Sequence, residues 1–268
     1  MSWNTEQRRT TSESTGNEHV LDIGLPMRHG TISHPPLVIC LDGRWTFGTT
    51  LDATRIMSMR GEAPEAVVVG VSFGPERMGE YLLERARWYT PTPFVPPAIT
   101  GVKGLAKEET GRAHEFRAFL SQQVIAPFEE EFGTGERWLV GHSFSGLFGL
   151  STLLAEPELF DKYLLASPSV WWDDRAALGL EERYAETHDD LPAHVFLSVG
   201  GEEDAFAAGE DAAVAESFRM KSNVEALAAT LASRRYRSLR LDYAVLEGEG
   251  HNSTIGAAIS RGLRALSK

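Results

Sequence analysis

Arg137-Trp138-Leu139-Val140-Gly141-His142-Ser143-Phe144-Ser145-Gly146-Leu147-Phe148 is the stretch on which the fold turns. Trp138 to Val140 reads as a short buried strand, and from Gly146 a helical pattern runs to residue 155. Between them Ser143 sits at a strand-to-helix turn, the context that the nucleophile elbow Gly-x-Ser-x-Gly requires. The requirement is steric, because side chains two residues either side of the serine crowd a tight bend. Gly141 satisfies it. Ser145 stands where the second glycine belongs, a departure that a small side chain tolerates. Ser145 is the weaker nucleophile candidate, since Leu147 would crowd its own bend. Such a turn also occurs without chemistry, so the rest of the chain has to decide.

Working outward, short apolar runs recur at Leu37-Val38-Ile39-Cys40-Leu41, Ala66 to Val71, Tyr163-Leu164-Leu165 and Val195-Phe196-Leu197-Ser198-Val199, with a further strand pattern ending near Leu246. Bounded by Gly, Pro and Ser, they suit strands buried on both faces. Helical spacing appears over 112–126, with Phe116, Phe119, Leu120 and Val124 on one stripe, over 214–232, with Phe218, Val224, Leu227 and Leu231, and over 254–266. Alternation of this kind predicts an α/β fold, a mostly parallel central sheet with helices on both faces. Residues 1–17 are polar and read as a flexible N-terminal tail ahead of a single domain spanning 18–268. Residues 88–111, rich in Pro and Gly, and 171–192, polar with two tryptophans, read as long loops.

Composition excludes several classes. Of 268 residues, 26 are Lys or Arg and 38 are Asp or Glu, a net charge of −12, which repels polyphosphates and argues against a nucleic-acid partner. The densest basic run, Arg234-Arg235-Tyr236-Arg237, is short. No apolar run approaches the roughly 20 residues of a spanning helix, so no membrane partner is expected. The N-terminus lacks the apolar segment of a secretory signal, and the lone Cys40 excludes a disulfide framework; a cytoplasmic location is the expectation. No metal site, Walker loop, His-Glu-x-x-His or Ser-x-x-Lys motif is present, and no cofactor is implied. Oligomeric state leaves no mark on the sequence.

A serine nucleophile needs a base, and the base an orienting acid; in elbow hydrolases they follow in the order Ser, Asp or Glu, His. After the strand at 195–199 comes Gly200-Gly201-Glu202-Glu203-Asp204, and after the strand ending near Leu246 comes Gly250-His251-Asn252-Ser253. Both fall beyond strand carboxyl ends, where open α/β sheets bind ligands. His251 is therefore the candidate base for Ser143, with Glu203 or Asp204 as acid. One oxyanion donor should be the backbone N–H of Phe144, at the start of the following helix.

The chain resembles the esterase branch of the α/β-hydrolases that contains esterase D and the enterobactin-type siderophore esterases. The resemblance lies in Leu41-Asp42-Gly43, Val67-Val68-Val69-Gly70-Val71, Arg87-Trp88-Tyr89-Thr90-Pro91, the elbow, Ala166-Ser167-Pro168-Ser169-Val170-Trp171-Trp172, Leu197-Ser198-Val199-Gly200 and Gly250-His251-Asn252-Ser253. It implies Ser143 as nucleophile and His251 as base, and it implies the N–H of Arg44 as second oxyanion donor. Its siderophore branch carries an acid that falls on Glu203, whereas its formylglutathione-hydrolase branch carries one that falls on Asp204; Glu203 is the preferred reading. The family's Arg-Asp-x-Thr-Pro reads Arg-Trp-Tyr-Thr-Pro here. The resemblance implies a serine esterase acting on a small-molecule ester or lactone, with a siderophore-like or aryl-bearing substrate first and a thioester or small acyl ester second. A hydrolase-fold binding protein without turnover is the rival. Trp171 and Trp172 are candidate aryl contacts, and an anionic substrate would need arginines such as Arg87, Arg85 or Arg44.

Overall fold

The computed structural model describes residues 4–27, 32–97, 100–206 and 218–268. In chain order the elements are β1 (Thr5–Thr11), β2 (Glu18–Gly24), β3 (Leu37–Leu41), α1 (Gly43–Ser58), β4 (Val67–Phe73), α2 (Met78–Trp88), α3 (Ala113–Phe119), α4 (Ala126–Phe132), β5 (Arg137–His142), α5 (Phe144–Ala155), β6 (Lys162–Ala166), α6 (Trp172–Thr187), β7 (Ala193–Gly200), α7 (Glu203–Phe206), α8 (Met220–Arg234), β8 (Leu239–Leu246) and α9 (Thr254–Leu266). The sheet has eight strands in the order β1-β2-β4-β3-β5-β6-β7-β8. β2 runs antiparallel to both its neighbours, and every other pairing is parallel.

The apolar runs divide residue by residue between the two faces, as the period of two demands. Leu37, Ile39, Leu41, Val67, Val69, Leu139, Leu165, Val195 and Leu197 enter the larger core, beneath α2, α3, α5 and α8. Val38, Cys40, Val68, Trp138, Val140, Leu164 and Phe196 enter the smaller one, closed by Leu51 of α1 and by Ala258, Ile259 and Leu263 of α9. This two-sided burial is why the central strands read as continuous apolar runs. Among the described residues no helix is long and apolar enough to cross a membrane.

Two expectations are corrected. Within residues 1–17, read as a flexible tail, Thr5–Thr11 is an edge strand paired in register with Glu18–Gly24. Its side chains are mostly exposed, so it shows none of the apolar signal of a buried strand, and the charges of Arg8 and Arg9 suit an edge. Within 171–192, read as a loop, Trp172–Thr187 forms α6, which is interrupted near its start by a kink at Asp173, Asp174 and Arg175 with φ of 47°, 49° and 64°. Its buried face holds only Trp172, Ala177, Glu181 and Tyr184, and the buried Glu181 is bound through both oxygens by Arg234 at 2.8 and 2.7 Å. A polar residue on the inner face hid the helical period. The 88–111 stretch is irregular apart from the end of α2 and one turn of 3₁₀ helix at Lys107–Glu109. Of the helix expected over 214–232, residues 214–217 lie outside the described residues, and α8 supplies the rest.

Candidate active site

The site forms at the carboxyl ends of β5, β7 and β8. Ser143 follows β5 directly with φ 60° and ψ −117°, a conformation that non-glycine residues seldom adopt. The bend holds because its neighbours leave no alternative. A Cβ on Gly141 would come within 2.4 Å of the Ser145 carbonyl oxygen. The Ser143 N–H donates to Ala166 O at 3.0 Å, while its carbonyl accepts from Leu147 and Ser169 N–H groups at 2.9 and 3.1 Å. The nucleophile candidate is thus pinned from the adjacent strand β6 and from its own helix.

Ser145 does more than fit. Its buried Oγ accepts from the His142 N–H at 2.9 Å and reaches Asp42 Oδ2 at 2.8 Å. Asp42, itself left-handed at φ 56°, is bound through both oxygens by Arg85 at 2.8 and 3.0 Å and by the Tyr81 hydroxyl at 3.1 Å. A buried ion pair therefore ties the β3–α1 turn to the elbow, and Ser145 is the link that glycine could not make. Gly43 permits that turn: a Cβ there would stand 2.7 Å from the Gly70 carbonyl carbon.

His251 Nε2 lies 3.0 Å from Ser143 Oγ, and its Nδ1 lies 2.8 Å from Glu203 Oε2. An ionised carboxylate only accepts, so the proton sits on Nδ1 and Nε2 is left to accept from the serine hydroxyl. Glu203 is buried, and its other oxygen accepts from Ser167 Oγ at 2.5 Å and Gly200 N–H at 2.7 Å. Asp204, the alternative acid, turns the other way: it accepts from the Lys221 N–H at 2.8 Å and the Ser222 hydroxyl at 2.6 Å, at the start of α8. Opening of the short α7 separates the two adjacent acids.

His142 is buried, and its Nε2 meets the His251 carbonyl at 2.8 Å, with the two imidazoles 4.6 Å apart. Burial above all, then the charges of His251 and Arg85, hold its pKa well below the usual histidine range. His142 is accordingly neutral and donates to the His251 carbonyl, tethering the loop that carries the candidate base.

With that geometry in view, the family assignment follows. The family model described as Putative esterase matches residues 12–247. The chain belongs to the Putative esterase family. This esterase is 31% identical over 255 residues to a siderophore enterobactin esterase of Emericella nidulans, covering 86% of this chain and 81% of that one. It is 26% identical over 267 residues to the ferri-bacillibactin esterase BesA of Bacillus subtilis, covering 97% and 88%. Among solved structures, the siderophore hydrolase EstA of Aspergillus nidulans superposes with a TM-score of 0.84 at 27% identity, covering 98% of this chain and 94% of that one. The strand order and crossovers are those of an α/β-hydrolase, as expected.

Other expected site residues fall in different places in the esterase. Phe144 opens α5, so its N–H has no carbonyl four residues back within the helix to receive it and points into the elbow end. The Arg44 N–H, expected as second oxyanion donor, is engaged by Ser72 Oγ at 2.9 Å. The close packing of Gly43 on Gly70 brings β4 up against the first turn of α1, where Ser72 receives one of that helix's unpaired N–H groups. The Arg44 guanidinium donates to the Phe73 and Pro75 carbonyls at 3.2 and 2.9 Å. Arg87, a candidate substrate contact, bridges Glu84 and Glu109, both at 2.7 Å, and so anchors the loop after α2. Trp172 is fully buried with its Nε1 on the Thr92 carbonyl at 3.0 Å, a brace between α6 and that loop. Trp171 borders a cavity of about 430 Å³.

Sequence reasoning passed over Ser167 and Ser169. Ser167, held at φ 43°, secures Glu203, and Ser169 Oγ lies 3.3 Å from Ser143 Oγ. The signal was present: Ser-Pro-Ser directly follows β6, whose Ala166 pairs with His142, so both hydroxyls had to flank the elbow.

Proposed function

We propose that Ser143, His251 and Glu203 are the nucleophile, base and orienting acid of this esterase, and that its substrate is a siderophore-like ester or lactone. The observation that carries the reading is the continuous relay from Ser143 Oγ through His251 to the buried Glu203, at 3.0 and 2.8 Å, on a left-handed elbow. Ser143 Oγ attacks the ester carbonyl as His251 Nε2 takes its proton; Glu203 stabilises the imidazolium. The Phe144 N–H faces the oxyanion, in a place where such a donor contributes on the order of 3 kcal/mol to the transition state. His251 returns the proton to the departing alcohol, and water, activated by the same imidazole, releases the acid. Ser169, whose hydroxyl is free to donate once Ser143 points its own proton at His251, steadies the attacking oxygen.

Support for the substrate class comes from the relatives' names, a ferri-bacillibactin esterase, an enterobactin esterase and a triacetylfusarinine C esterase. The test is hydrolysis of p-nitrophenyl acetate and butyrate by wild type, Ser143→Ala and His251→Ala, followed by ferric and iron-free trilactones. A fall of about a thousandfold or more in kcat/KM in both variants is expected. Full activity in Ser143→Ala would remove the assignment.

A further inference from the structure

The two edges of the sheet are built differently. β1 carries no Leu, Ile, Val or aromatic side chain, and its Arg8 is taken up by both oxygens of Glu131. An edge that is charged and has little to bury resists further pairing. β8 is the opposite case. It matches β7 without a break from Ala193↔Leu239 to Gly200↔Leu246, and among the described residues it pairs with no other strand. It is eight residues long, with no proline. Where β7 is buried throughout, only Leu246 of β8 is buried. Leu239, Leu241 and Val245 lie half-buried against the larger core, and Tyr243 on the same face is 38% exposed.

The other face of β8 presents Arg240 and Asp242, with Arg240 Nε 4.0 Å from Asp242 Oδ2 and both side chains about half exposed. Asp242 Oδ2 also meets His194 Nε2 on β7 at 2.7 Å. Opposite charges two residues apart on one face of an unpaired strand are self-complementary. An antiparallel copy related by a two-fold axis normal to the sheet keeps each face on its own side, so odd positions meet odd and even meet even. With the axis through Leu241, Arg240 of each copy stands opposite Asp242 of the other. On the reverse face Leu241 then meets Leu241, and Leu239 meets Tyr243. Moving the axis to residue 240 or 242 sets arginine against arginine or aspartate against aspartate. Charge therefore singles out one register.

We propose that β8 is an association surface for a second copy of this chain, paired antiparallel about Leu241 so that the two sheets run on as one. A contact of this kind, the same patch on both copies, closes at two. β5 and β8 run the same way within a chain, whereas the two β8 strands run oppositely. The two elbows thus lie at opposite ends of the joint sheet, and neither site is completed by the other copy. A single strand edge is a small contact, so association in the micromolar range is expected.

The test is sedimentation velocity of the full chain across that concentration range. Wild type should show a monomer–dimer equilibrium that salt weakens. Arg240→Asp sets acid against acid twice across the axis, and Asp242→Arg sets base against base. Each variant alone should self-associate at least about tenfold more weakly. Mixed one to one, the two variants meet every aspartate with an arginine, and a dimer of wild-type strength should return. Hydrogen exchange of wild type gives an independent reading: amides of β8 should slow as protein concentration rises, and those of β1 should not. Melting reports whether each variant is folded; should Asp242→Arg fail, since Asp242 also holds His194, Arg240→Asp and hydrogen exchange decide. A wild type that stays monomeric, a dimer indifferent to Arg240→Asp, assemblies larger than a dimer, protection on β1 in place of β8, or a mixture of folded variants no stronger than its parts would each overturn the proposal.

Discussion

Replacing Ser145 by glycine would complete the Gly-x-Ser-x-Gly pattern, and the structure predicts that it weakens the protein. The Ser145 hydroxyl is fully buried, accepts from the His142 N–H at 2.9 Å, and has Asp42 Oδ2 at 2.8 Å as its stronger acceptor. A hydrogen bond to a charged group contributes about 1.5–3 kcal/mol, and a buried N–H stripped of its partner costs about 1–3 kcal/mol. Glycine within a helix costs a further ~0.5–1 kcal/mol relative to alanine. The total is about 3–7 kcal/mol. In a chain of this size each kcal/mol lowers Tm by roughly 2–4 °C, so a fall on the order of 10 °C is expected. Urea unfolding with an unchanged slope would locate the loss in the native state. Ser145→Ala, which spares the helix, should lose about 1 kcal/mol less. If Ser145→Gly melts with wild type, the link between the Asp42–Arg85 pair and the elbow contributes nothing, and the residue is there only for its size.

Glu203→Gln should lower kcat by about 10³–10⁴, the effect of losing the carboxylate that fixes the base's tautomer. Asp204→Asn should keep kcat within a few-fold while costing about 1 kcal/mol of stability at the start of α8, read from activity per folded molecule and from melting. His19 is fully buried against Phe73, Phe116 and Phe119, and burial lowers its pKa from 6.5 to about 4. The unfolded chain therefore binds a proton between those values that the folded one refuses. Its contribution to stability is unaffected above pH 6.5, falls as pH drops through that window, and reaches a loss of about 3 kcal/mol below pH 4. His19→Phe should flatten the pH dependence of unfolding between pH 6.5 and 4; an unchanged profile would place the acid sensitivity elsewhere.

The central strands, the elbow and the Gly-flanked His251 were legible because each is a local signal: a continuous apolar run, a small-residue constraint, a loop between two periodic segments. Glu203 against Asp204 was not. The two are adjacent, equally acidic and follow the same strand, and only the turn of α7 sends one to His251 and the other to α8. The arginines mislead for a related reason. Charge is visible in a sequence, but its use is not: Arg85 is held by an acid 43 positions away, and Arg87 adds to its helix neighbour Glu84 an acid 22 positions away. β1 and α6 escaped because hydrophobic periodicity marks burial, and one is an exposed edge while the other buries a glutamate. Ser145 looked like an imperfect glycine because its partner, Asp42, is 103 residues away.

Peptide mapping after exposure to diisopropyl fluorophosphate tests the central claim most directly. One adduct on Ser143 in wild type, none in Ser143→Ala, and sharply slowed labelling in His251→Ala are predicted. An unmodified protein, or an adduct on Ser169, 3.3 Å away, would contradict the account.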